Sequence, residues 1–223
     1  MKRTKIKDRV LPTYTKGEEI FNMVSHIVGG GFGVIALVTC VIVAALHHNV
    51  WGVVSSSIYG ASLIILYTVS SVYHGLPKNT GKKVMQVLDH CMIYFLIAGT
   101  YTPIVLGPIR EFSPVWGWSI FGIVWACAAL GTVFTAIDLK KYAVLSMICY
   151  IGMGWCIVMA GKTALDAMSL PCFLWILAGG IAYTVGAVFY GFGRKCKYIH
   201  SVFHLFVVLG SVLQYVAIIK YVI

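Results

Sequence analysis

Seven mostly apolar stretches run along the chain, at about 24–46, 51–74, 85–107, 114–136, 142–161, 170–191 and 199–222. An α-helix rises about 1.5 Å per residue, so about 20 such residues reach across the ~30 Å hydrocarbon core of a bilayer. In hydrocarbon the backbone N–H and C=O groups find no water, and only helices or closed barrels satisfy them internally. The short alternating segments of an outer-membrane barrel do not occur here. The expectation is an all-α integral membrane protein, a bundle of seven transmembrane helices forming a single domain over residues 1–223. Composition agrees, with 60% hydrophobic and 11% charged residues and a mean hydropathy of +0.89, outside the range of soluble globular domains. Residues 1–23 read as a basic segment ahead of the first span. That span is too long for the apolar core of a signal peptide and ends without a small-residue cleavage site, so it reads as an uncleaved anchor.

A formal net charge of +10 would suggest a nucleic-acid partner in a soluble protein. Here the placement of the basic residues excludes one. Lys2, Arg3, Lys5, Lys7, Arg9 and Lys16 precede the first span; Lys78, Lys82 and Lys83 lie between the second and third; Lys140 and Lys141 follow the fourth; Arg194, Lys195 and Lys197 follow the sixth. Fourteen of the 17 Lys and Arg residues therefore fall on one side, and Arg110, Lys162 and Lys220 on the other. Short loops rich in Lys and Arg stay in the cytoplasm. The expected topology has the N-terminus cytoplasmic and the C-terminus outside, in a multi-pass protein of the cell (plasma) membrane. Six of the seven cysteines fall inside spans and Cys196 in a predicted cytoplasmic loop, which implies packing residues and no disulfide framework. Gly29 and Gly33 have the small-xxx-small spacing that lets two helices approach closely.

Ionisable side chains in a membrane are costly, so each needs a reason. His26 opens the first span, His74 closes the second, Asp89 and His90 lie in the first turns of the third, and His200 and His204 open the seventh. With the expected topology all of them share one depth, near the cytoplasmic face. His47 and His48 lie in a loop on the opposite side and read as ordinary solvated residues. Residues four apart share a helix face, so His200 and His204 can converge on one ion, and Ser70 points the same way as His74. Three imidazoles with an open fourth position make the catalytic type of zinc site, which lowers the pKa of water to about 7 and polarises a carbonyl. Asp89, from a third helix, is the candidate proton carrier and Ser70 the orienting hydroxyl. Two histidines at this spacing also arise by chance, and an interfacial histidine can simply meet headgroups. The meeting of His74, Ser70 and Asp89 at the same depth favours a site. His90 points about 100 degrees away from Asp89 and reads as a packing or interfacial residue, and Cys196 is an alternative fourth ligand. Zn2+ follows from ligand type alone.

The segments "EIFNMVSH", "SSVYH", "LDHCMIYFLIAGTYTP" and "HSVFH", in this order, resemble the hemolysin III family, the bacterial branch of the progestin and adipoQ receptor family. The resemblance covers essentially the whole chain. It implies seven helices, a cytoplasmic N-terminus and a metal near the inner face, with His74, His200 and His204 as zinc ligands and Ser70 and Asp89 beside them. Glu19, Asn22, Ser25 and His26 match an N-terminal signature whose implied role is to brace the site. Similar metal constellations occur in alkaline ceramidase-like membrane enzymes, which implies hydrolysis of lipid amides or esters and a part in membrane lipid homeostasis.

Three functions compete at this level. A zinc-dependent hydrolase acting on membrane lipids fits the depth of the polar residues. A pore-forming hemolysin, a cytolysin as the family name has it, would need a polar lumen that the spans do not offer. A receptor-like membrane stress sensor with a structural metal would be favoured by a closed four-ligand site. The last span has no Lys near its middle for retinal, and haem b between histidine pairs is a further alternative that an absorption spectrum would decide.

Overall fold

The structure is a computed structural model and describes residues 4–192 and 196–223. Every regular element among these residues is helical: α1 (Lys16–Leu46), α2 (Val50–Gly75), α3 (Thr80–Ile104), α4 (Arg110–Phe112), α5 (Pro114–Ile137), α6 (Ala143–Gly154), α7 (Lys162–Ala167), α8 (Leu170–Phe192) and α9 (Ile199–Ala217). A π-helical turn, Val105–Ile109, joins α3 to α4, and another, Ile218–Val222, follows α9. Among the described residues, six helical segments are long and apolar enough to cross a membrane. The protein is thus a multi-pass helical membrane bundle, as its apolar stretches require.

The fifth expected stretch, 142–161, differs. It forms the 12-residue α6, then a 3-10 turn over Cys156–Ala160, and reaches Gly161 in a left-handed conformation with φ 48°. Twelve helical residues rise about 18 Å, short of the bilayer core. The interruption follows Gly152 and Gly154, which weaken a helix, and its loose backbone is caught from outside. Tyr101 Oη donates to the Gly154 carbonyl at 2.7 Å and accepts from the Ile157 amide at 3.1 Å.

The first helix also departs from expectation, starting at Lys16 although the apolar run starts near 24. A capping box accounts for this: Glu18 N–H donates to Thr15 Oγ1 at 3.3 Å, and Glu18 Oε2 accepts from Thr15 N–H at 2.8 Å. Two otherwise unpaired donors of the first turn are thereby satisfied, and polar residues are drawn into the helix. Residues 16–23, expected in the basic leading segment, therefore belong to α1. Asn49 and Asn79 cap α2 and α3 one way, their side chains accepting from the Gly52 and Lys82 amides.

Apolar side chains such as Ile27, Ile35, Val144 and Ile148 face outward, while Tyr59, Tyr67, Tyr73 and Tyr94 fill the interior. Buried hydroxyls need partners. Tyr67 and Tyr183 both meet Ser211 Oγ, at 2.7 and 2.9 Å. Gly29 and Gly33 do bring helices together. A Cβ on Gly29 would lie 2.7 Å from the Tyr67 ring, and one on Gly33 would lie 3.2 Å from the Ile64 amide nitrogen.

The segment before α1 crosses the end of the bundle where α2 stops and α3 starts. Lys83 Nζ donates to the Lys7 carbonyl at 2.5 Å, and Thr4 N–H donates to Asp138 Oδ2 at 2.9 Å. Donation from the Thr4 amide, with the Lys140 and Lys141 amides, holds the Asp138 carboxyl down at about 2. Of the basic residues counted for topology, Lys2, Arg3, Arg194 and Lys195 lie outside the described residues.

Candidate metal centre

Three histidines from two helices meet at this same end. His74 occupies the last turn of α2, and His200 and His204 occupy the first two turns of α9. One ring nitrogen from each lies within 4.8 Å of the other two. His200 Nε2 and His204 Nε2 stand 3.1 Å apart, close to the ~3.3 Å that separates two nitrogens bound to one tetrahedral ion at 2.0–2.1 Å. His74 and His204 are only 2% and 1% exposed, and His74 Nε2 has no hydrogen-bond partner. A buried, unpaired ring nitrogen is costly. A cation shared by the three rings would satisfy it, so these residues fit a metal ion.

One face of α1, at positions 19, 22 and 26, braces the cluster: it holds the His74 ring, Ser201 and the His204 ring. Glu19 Oε2 accepts from His74 Nδ1 at 2.7 Å, which leaves Nε2 as the free nitrogen. A carboxylate behind a ligating histidine sets its tautomer and raises its basicity. The other Glu19 oxygen meets Lys82 Nζ at 2.8 Å, and Lys82 also donates to the Leu76 carbonyl at 3.0 Å. Asn22 Oδ1 accepts from Ser201 Oγ at 2.6 Å, pinning α9 between its two histidines. His26 stacks on His204 with ring centroids 3.7 Å apart and planes 13° from parallel.

Two further contacts aim α9. Glu18 Oε1 accepts from the Tyr198 amide at 2.8 Å, and Tyr198 adopts a left-handed conformation with φ 60° just before the helix. Tyr14, ahead of α1, stacks on His200 with centroids 5.0 Å apart and planes 17° from parallel. Burial pushes the Tyr14 phenol well above its ordinary pKa, so it caps the cluster as a neutral ring.

Ser70 and Asp89 line one cavity of about 120 Å³ together with His26 and His204. Ser70 Oγ is buried and has no partner. Asp89 lies 3.8 Å from His90 Nδ1, outside hydrogen-bond range. His90 is held elsewhere, by the Gln86 carbonyl at 2.8 Å and Tyr190 Oη at 3.0 Å, in line with its expected packing role. From its polar end the cavity runs past Leu66, Ile93, Leu96 and Ile97, an apolar lining. Cys196 is exposed and lies outside the histidine group, and His47 and His48 are exposed as expected.

The sequence pattern did not single out Tyr14 or Lys82. Lys82 stood as a loop charge, yet it is 3% exposed. Its signal was an acidic residue at the start of an apolar helix, Glu19, which needs a cationic partner once buried.

The family described as Haemolysin-III related matches residues 14–215, a range that opens at Tyr14 and includes every residue of the centre. The chain is 36% identical to the Hemolysin-3 homolog of Bacillus subtilis (strain 168) over 208 residues, 93% of this chain and 96% of that protein. It is 37% identical to Hemolysin-3 of Bacillus cereus over 205 residues, 92% of each. The Monocyte to macrophage differentiation factor of Homo sapiens shares 29% identity over 196 residues, 83% of this chain and 78% of that protein.

Proposed function

Because the chain belongs to the Haemolysin-III related family, we propose that it is a zinc-dependent membrane hydrolase that cleaves amide or ester bonds of lipids at the cytoplasmic face of the cell membrane. The observation that carries this reading is the convergence of three buried histidines, one with an unpaired Nε2, beside a cavity that holds an unpaired hydroxyl and a carboxylate at one end and apolar walls beyond. His74, His200 and His204 hold the metal. Bound there, a zinc ion lowers the pKa of water to about 7 and polarises a carbonyl. Asp89 accepts the proton given up by the attacking water and returns it to the departing nitrogen or oxygen. Ser70 orients the reacting groups through a hydrogen bond. Glu19 holds His74 in the tautomer that presents Nε2, and the apolar wall receives the acyl chain.

Asp89→Asn tests the reading. The substitution conserves volume, so fold and metal content should persist, whereas Asn cannot take up a proton. Positioned general bases typically contribute about 100- to 10,000-fold to rate. Lipid profiling of membranes from cells expressing the parent chain should show a change that the variant does not produce. Full retention of that change would refute the hydrolase and favour a membrane sensor with a structural metal. Loss of zinc from the variant would make Asp89 a ligand and close the site with four.

A further inference from the structure

The cavity beside the histidines has a neighbour within the bundle. A second cavity, of about 220 Å³, adjoins it and reaches Gly161, Leu165, Phe173 and Leu177. Thr100, Tyr101, Gly154, Trp155, Gly180 and Gln214 line both, so these residues form the waist between two apolar chambers. At the waist the polar atoms of three side chains are already engaged, Trp155 Nε1 by Thr184 Oγ1 at 3.1 Å. Thr100 Oγ1 donates to the Leu96 carbonyl at 2.8 Å, and Tyr101 Oη spans the Gly154 carbonyl and the Ile157 amide.

Gln214 differs. It is 5% exposed, and its Nε2 donates to the Ile176 carbonyl at 3.0 Å, which fixes which way the amide points. Its Oε1 is buried and has no partner. The side chain cannot easily turn away, because it is packed on Gly179, where a Cβ would approach Nε2 to 2.7 Å. Gln214 borders both chambers, and its unpaired carbonyl oxygen leaves its desolvation uncompensated. It calls for a hydrogen-bond donor. Gln214 lies ten residues beyond His204 on α9, about 15 Å along the axis, a distance that a long alkyl chain covers from a head group seated at the histidines.

We propose that Gln214 is a specificity residue that receives a hydroxyl group borne midway along the ligand's acyl chain, so that the two chambers together select mid-chain hydroxylated lipids over plain ones. This deepens the lipid reading above and rests on it for the nature of the ligand, but binding is measured without turnover, so failure of the hydrolase test would leave the present one standing.

The probes are stearic acid, stearic acid hydroxylated at mid-chain, and stearic acid hydroxylated beside the carboxyl group, each competing against a fluorescent fatty acid for the purified full-length protein in detergent. The mid-chain hydroxy acid should bind about five- to tenfold more tightly than stearic acid, as one buried hydrogen bond provides, and the carboxyl-proximal isomer should gain nothing. Gln214→Met retains an unbranched side chain on Gly179 and removes both polar atoms, so it should erase the preference while stearic acid binding stays within about twofold. Equal binding of all three acids by the parent protein, or a preference that survives in Gln214→Met, overturns the proposal. So does binding of none of them. The comparison of isomers in the parent protein decides the matter even if the variant does not fold.

Discussion

Glu19 joins the candidate metal centre to a buried charge, and the two roles can be separated. With Gln in its place, His74 Nδ1 loses an ionic acceptor, and Lys82, which sits 2.8 Å from the carboxylate, is left buried without its counter-ion. Loss of a hydrogen-bonding partner behind a metal ligand typically costs 10- to 100-fold in affinity, and an uncompensated buried cation costs stability besides. Glu19→Gln should therefore bind zinc about 10- to 100-fold more weakly when titrated against a competing chelator. The double variant Glu19→Gln, Lys82→Met removes the stranded charge. If it regains stability but not affinity, the carboxylate acts through His74; if affinity returns as well, the loss came from the charge alone. This pairing also shows where the sequence stopped being informative. The histidines were legible from four-residue spacing and shared depth, because both follow from helix geometry. That Lys82 turns inward was not, since its position beside Lys83 and before an apolar run is equally that of a solvated loop lysine.

Helix starts carry the alignment of the centre, because ligands on α2 and α9 depend on how those helices are presented to α1. Glu18 does two things at once: it closes the capping box of α1, and it holds the amide of Tyr198 at the left-handed turn that begins α9. The cap explains why α1 runs to Lys16, eight residues ahead of its apolar stretch, carrying Glu19 and Asn22 to the level of the histidines. The sequence signal, Thr15 followed three residues later by Glu18, was present but lay outside the hydrophobic run used to place the span. The broken fifth stretch was hidden for the opposite reason. Residues 142–161 are apolar throughout, and hydropathy does not register that Tyr101 holds the backbone open at Gly154 and Ile157. Glu18→Ala keeps the bond from the residue 18 amide to Thr15 but removes the carboxylate's bonds from the Thr15 and Tyr198 amides, which should cost about 1–2 kcal/mol and free the start of α9. The expected result is a lower unfolding temperature in detergent together with easier extraction of zinc by a chelator. A fall in unfolding temperature with zinc retention unchanged would show that α9 is aligned by other contacts, foremost Asn22 with Ser201.

For the whole molecule, the way the bundle sits in the membrane decides which leaflet meets the metal centre, and the argument rests on charge. Lys82 still counts among the basic residues that bias insertion although its ammonium meets Glu19 and the Leu76 carbonyl, because the bias follows Lys and Arg and not net charge. Lys7 and Lys83 remain at the end of the bundle that holds the histidines and are joined by a hydrogen bond, while Arg110, Lys162 and Lys220 stand apart from it in sequence at the ends of other elements. Short basic loops are retained in the cytoplasm irrespective of acidic residues, so the histidine end should face inward. A reporter active only outside the cytoplasm should give signal when fused after Ile223 and none when fused after Lys83. The reverse pattern would move the centre to the outer leaflet, and the lipids available to it would then be those of the outer surface. Signal from both fusions would mean that an even number of crossings separates Lys83 from Ile223, and the interrupted segment at α6 would be the first place to look for the missing one.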